Sequence, residues 1–165
     1  MISKDDALKL VLNTSKYAHA LIASAIMSKL AARLGENSRE WELVGLLHDL
    51  DFDEVRGDMS KHGVVAAERL AGKLPEKCLY TIKAHDYRTG FKLNSKLDCA
   101  LIAVDSLSIL IEKAQKSRQK LNVETLETIL QNISLKRPWH RTNTTKCREM
   151  GLSTSEFFEL GISSL

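Results

Sequence analysis

The amino-acid sequence predicts an all-α protein, a single helical domain of seven to nine helices. Three observations lead there. Only two prolines, Pro75 and Pro138, occur in 165 residues, so little interrupts a helix. Runs that alternate apolar β-branched and polar residues, the mark of strands, are few. Helix-start signals recur instead. Ser3 with Asp6, Asn37 with Glu40, Ser95 with Asp98 and Ser153 with Glu156 each set a capping side chain three residues ahead of an acid. The length suits one domain with a sizeable core.

The elements follow in order. Ser3 opens the first helix. A long second helix runs from about Lys16 to Leu34, where Gly35 suits its end. A third spans about Ser38 to Asp49. The stretch LDFDEVRGDMS, acidic and holding Gly57, reads as a loop. Ser60 can cap a helix to about Lys73, and Pro75 suits the start of one to about Asp86. Asn94 or Ser95 opens the most periodic helix, with Leu97, Leu101, Val104 and Ile111 on one stripe. Asn122 opens another over VETLETILQNI. Lys136 to Thr145 reads as an irregular basic connection, and about Ser153 to Leu160 as the last helix.

Composition narrows the function. Apolar residues make up 44% and charged residues 27%, the balance of an ordinary globular chain. A net charge of +3 permits acidic substrates without the dense basic stripe of a nucleic-acid binder. Cys78, Cys99 and Cys147 form no CxxC pair, which fits a reducing compartment better than a disulfide framework. No stretch approaches a membrane span, and MISKDDALKL lacks the apolar region of a signal peptide. The expectation is a cytoplasmic protein with no membrane partner.

Polar residues interrupt the apolar faces. His48 lies four residues after Val44, and Asp49 three after Leu46. His19 precedes Ile22 and Ala23 at helical spacing, His85 follows Ile82 by three, and Asp105 follows Leu101 by four. Each alone has a plain explanation, a hydrogen-bonded core histidine or a capping aspartate. Together they do not, because burying unpartnered polar groups costs roughly 1–3 kcal/mol each. A domain of this kind holds only about 5–15 kcal/mol in all. No lysine or arginine shares these faces to neutralise Asp49 and Asp105. A divalent cation would do so, and would also accept neutral imidazoles.

The order His19 … His48-Asp49 … Asp105 resembles the signature of the HD superfamily of metal-dependent phosphohydrolases, which are all-α proteins. The segments LLHDLDFDE, KHGVVAAERL and AVDSLS are similar to the small stand-alone HD-domain proteins of the HDIG type. The resemblance covers about residues 15–112, leaving 113–165 as a C-terminal helical extension whose KCREMGLSTSEFFELG is a weaker match. It implies one or two divalent cations. His19, His48, Asp49 and Asp105 would hold the first; His62 and His85 would add a second, with Asp49 bridging. Iron, manganese, cobalt, nickel or magnesium suit such ligands, and a structural zinc site without cysteines does not.

The implied activity is hydrolysis of a phosphoester or phosphoanhydride, in a nucleotide or small organic phosphate, by metal-activated water. Lys61, Arg56 and Arg88 are the candidate phosphate-binding cations. Some of these nucleotidases carry an acid where Phe52 stands, so that role does not transfer; Asp53, ahead of Asp51 and Glu54, is the candidate to orient water or protonate the leaving group. The alternative is a catalytically silent sensor that binds nucleotide or metal. A third reading rests on LKRPWHRTNTTKCR, whose cations surround Trp139 in the manner of single-strand binding. One short patch favours a surface connection, or a lid reaching an anionic substrate, over nucleic acid. A homodimer stays open.

Overall fold

The computed structural model describes residues 1–165 and contains nine α-helices and no strand. These are α1 (Lys4–Val11), α2 (Tyr17–Leu34), α3 (Ser38–Leu47), α4 (Val64–Arg69), α5 (Glu76–Ala84), α6 (Lys96–Lys116), α7 (Val123–Ser134), α8 (Trp139–Thr144) and α9 (Thr154–Ile162). Short 3₁₀ turns occur at Met59–Lys61, Tyr87–Thr89 and Thr145–Met150.

Helix α6 is the spine. Ser95 and Asp98 cap its start reciprocally, as their spacing predicts. Leu97, Leu101, Val104, Leu107 and Ile111 form its buried stripe. Helices α2, α3, α5, α7, α8 and α9 all pack against it. Trimming one such core leucine to alanine costs about 2–5 kcal/mol. Helices α2 and α3 approach very closely, and Gly45 is the reason. A Cβ there would lie 2.8 Å from the Ala23 carbonyl oxygen. This approach brings His19 on α2 near His48 at the end of α3.

The predicted C-terminal extension is no appendage. Leu126, Leu130, Cys147, Met150, Phe157 and Phe158 belong to one apolar cluster with Ile26, Leu46 and Leu101. No helix is long and apolar enough to cross a membrane.

Two predicted elements differ. The helix expected from Ser60 to Lys73 is split. Asp58, not Ser60, caps the 3₁₀ turn, and Gly63 follows at φ +81°. That backbone, left-handed and open only to glycine at low cost, ends the turn and starts α4 on a new axis. The expected basic connection contains α8, because Pro138 at φ −61° presets the entry to a helix. The ends of α3 and α5 also fall short of the predicted limits, so His48 and His85 sit at helix ends.

Candidate metal centre

Five parts of the chain deliver six donor residues to one place. His19 comes from α2, and His48 and Asp49 from the end of α3. His62 follows the first 3₁₀ turn, His85 follows α5, and Asp105 sits midway along α6. His19, His48, Asp49, His62 and His85 are all buried, and the Asp105 side chain is only 22% exposed.

Each imidazole is fixed through Nδ1. His48 Nδ1 donates to the Gly45 carbonyl at 2.8 Å, and His85 Nδ1 to the Ile82 carbonyl at 2.6 Å. His62 Nδ1 donates to Asp51 at 2.8 Å, and His19 Nδ1 to Glu112 at 2.8 Å. Carbonyls and carboxylates only accept, so each ring keeps a proton on Nδ1 and turns Nε2 inward, where it can bind a cation once it gives up any proton of its own. Asp51 is held in turn by the backbone N–H groups of Gly63 and Ala66, at 2.8 and 2.9 Å. Such outer partners are what a ligating histidine needs to keep its orientation and basicity.

The inward atoms converge. Asp105 Oδ1 lies 3.1 Å from His19 Nε2 and 3.8 Å from His48 Nε2. Asp49 Oδ1 lies 3.0 Å from His62 Nε2 and 3.5 Å from both His85 Nε2 and His48 Nε2. His62 Nε2 and His85 Nε2 are 3.1 Å apart. Two overlapping triads result, His19/His48/Asp105 and His48/Asp49/His85, with the donor atoms of each within 4.8 Å of one another.

These residues fit a cation. His19 Nε2 and His48 Nε2 are buried without a hydrogen-bond partner. His62 Nε2 and His85 Nε2 face each other at 3.1 Å, a contact that needs either a shared proton or a cation beside it. Donor separations near 3 Å suit neighbouring ligands around one ion with bonds of about 2.0–2.2 Å. No cysteine joins the cluster; Cys78, Cys99 and Cys147 are free elsewhere.

The electrostatics agree. Burial opposes charge on His19, but Asp105, Glu112 and Asp49 outweigh it and raise its pKa to about 9. Burial likewise opposes charge on His62, and Asp49 with Asp51 raises its pKa to about 9. Burial pushes Asp49 and Asp105 up, and the surrounding imidazoles overcome this and hold both well below the usual carboxylate range. His48 is lowered, with burial the largest cause. The carboxylates thus attract positive charge inward.

One sequence expectation is overturned here. A cation does reach Asp49: Lys16 Nζ lies 3.0 Å from Asp49 Oδ2 and 4.0 Å from the centre of the Phe52 ring. It comes from just before α2, so the faces of α3 and α6 do not reveal it. Lys16 offsets part of the negative charge at Asp49.

The cluster opens into a cleft of about 520 Å³ lined by Lys16, Phe52, Arg56, Arg88, Arg137, Trp139 and His140 among others. The predicted catalytic residues divide. Asp53 is not in the cleft; it accepts from Ser15 N at 2.7 Å and pairs with Arg56 at 2.6 Å. These bonds, Ser15 first, bring its pKa down to about 2, so it carries no proton to donate near neutrality. Arg56 lines the cleft but is engaged by Asp53. Lys61 is 64% exposed, pairs with Asp58 at 3.0 Å and lies outside the cleft. Arg88 lines the cleft and is forked onto Asp86, Nε to Oδ1 at 2.9 Å.

Sequence reasoning passed over Glu112 and Lys16, ranked Asp51 behind Asp53, and read the segment holding α8 as a surface connection or a lid. Glu112 had a signal, since it follows Asp105 by seven residues and so shares its helix face. No protein-family model, no curated protein and no solved structure matches the chain.

Proposed function

We propose that the chain is a metal-dependent phosphohydrolase acting on a phosphoester or phosphoanhydride of a nucleotide or small organic phosphate. One observation carries the proposal: four Nε2 atoms and two carboxylates meet at the floor of a cation-lined cleft. The resemblance of His19 … His48-Asp49 … Asp105 to the HD signature supports it. One or two divalent ions, iron, manganese, cobalt, nickel or magnesium, would be held by His19, His48, Asp49 and Asp105, with His62 and His85 adding donors beside Asp49 Oδ1.

An ion held by these residues would supply Lewis acidity, which lowers the pKa of water and offsets charge on phosphoryl oxygens. The chain's own residues supply the rest. Asp51 and Glu112 keep His62 and His19 in the tautomer that presents Nε2. Lys16 and Arg137 bring positive charge to the cleft, where phosphoryl transfer needs oxygens clamped and aligned. Phe52 and Ile102 exclude water along the wall, which strengthens each charge interaction.

The test is metal analysis of protein purified without chelator, followed by phosphate release from a panel of phosphoesters with Mn²⁺, Co²⁺, Ni²⁺ and Mg²⁺. The wild type should release phosphate, and the His48→Ala/Asp49→Ala double variant should not. If no substrate turns over with any metal while ligands still bind, the silent sensor replaces the hydrolase.

A further inference from the structure

The basic and aromatic segment around Trp139 is not needed to hold a metal, yet it faces the same cleft. Helix α8 packs on α6, the helix that carries Asp105. Arg137, Trp139 and Asn143 thereby line one cleft with Asp49 and Asp105.

Trp139 is the unusual member. The residue is 41% exposed. It also has an aromatic neighbour. The ring lies against His140 with centroids 5.8 Å apart and planes tilted 36°. His140 is buried, and its Nδ1 lies 3.4 Å from Ser106 Oγ on α6. The start of α8, which carries Trp139, is thereby tied to α6 beside the cleft. A second exposed ring, Tyr87 at 70%, borders the same cleft from the 3₁₀ turn after His85. Arg137 differs from the other cleft cations. Lys16, Arg56 and Arg88 each pair with an aspartate, and Arg137 forms no ion pair or side-chain hydrogen bond.

We propose that Trp139 is the platform on which a planar heteroaromatic ring of the substrate stacks, with Arg137 holding anionic oxygens beside it. The substrate is then a nucleoside phosphate, not a sugar or polyol phosphate. The placement of its phosphate at the histidine cluster rests on the hydrolase reading above. A volume of about 520 Å³ fits a ligand of that size and exceeds what a lone phosphate fills. A base stacked on an aromatic side chain is sequence-tolerant, because every base offers a π-face. Arg137 supplies a guanidinium fork matched to phosphate oxygens.

The experiment is isothermal titration of the full chain, with and without Mn²⁺, using non-hydrolysable phosphonates of adenosine and of ribose that differ only in the base. The adenosine ligand should bind at least about tenfold more tightly, the size expected of one stacked base. Trp139→Ala should abolish that gap and leave the ribose ligand unchanged, while Trp139→Phe keeps most of it. No gap in the wild type, or equal loss of both ligands in Trp139→Ala, overturns the proposal. So does a short oligonucleotide that binds far more tightly than the single nucleoside phosphonate. Phosphate release is scored separately. A gap without turnover sinks the hydrolase reading and leaves this one standing; turnover without a gap does the reverse.

Discussion

Asp51→Asn isolates the support behind the cluster. Asp51 is fully buried. Its Oδ1 takes the His62 Nδ1 proton at 2.8 Å, and its Oδ2 accepts from Gly63 N and Ala66 N at 2.8 and 2.9 Å. Asparagine is the same shape but has one acceptor and one donor end. Turned either way, its NH₂ meets an N–H. If the NH₂ faces Gly63 and Ala66, two backbone donors lose their acceptor. If it faces His62, the ring must move its proton to Nε2 and present N–H to the metal site. Loss of a charge-assisted bond costs about 1.5–3 kcal/mol, and a stranded buried donor about 1–3 more. The expected loss is roughly 3–5 kcal/mol, on the order of 10 °C in melting temperature for a chain of this size. Where the ring flips instead, metal affinity falls by about 10–100-fold. Calorimetric melting and Mn²⁺ titration read the two outcomes. A variant with wild-type melting and wild-type metal affinity would refute the reasoning.

Three further outcomes are expected. Gly63→Ala puts a Cβ into the Ile82 carbonyl at φ +81°, so it should melt at least about 5 °C lower, and an unchanged melting curve would count against the close approach. Folded-state pKa values of about 9 for His19 and His62 stand above the ordinary 6.5. Their stabilisation of the chelated protein is therefore complete below pH 6.5 and disappears as pH rises through about 9. Bound metal must expel those protons, so its stabilising increment should grow over the same range; melting scans from pH 6 to 9 that show the opposite trends contradict this. Burial, the largest cause, pushes the Cys78 thiol up to about 11, so thiol-reactive reagents at pH 8 should modify it only as fast as the chain unfolds.

The parts of the fold that were legible in the sequence are those with local causes. The reciprocal caps at Ser95 with Asp98 and at Ser153 with Glu156 form within one turn, so spacing alone announces them. His19, His48, Asp49, His85 and Asp105 stood out because each violates the apolar period of its own helix. His62 has no helix of its own; the KHG resemblance pointed to it, and Gly63 turns it inward. Asp53 was preferred to Asp51, yet it is Asp51 that turns toward the cluster. Both acids follow α3, and their order along the chain does not say which one turns inward. The N–H groups of Gly63 and Ala66, a dozen residues on, draw Asp51 in. Lys16 was missed because it reaches Asp49 across elements. The position of Trp139 depends on how α8 docks on α6, a tertiary fact with no periodic trace.

The central claim is that imidazoles and carboxylates from separate elements share bound metal. Anomalous diffraction from crystals grown with Mn²⁺ tests it most directly. The account predicts one or two peaks, each bonded at about 2.0–2.3 Å to Nε2 atoms and to Asp49 or Asp105. No peak among these residues at saturating Mn²⁺, or coordination that leaves out both His48 and Asp49, would contradict it.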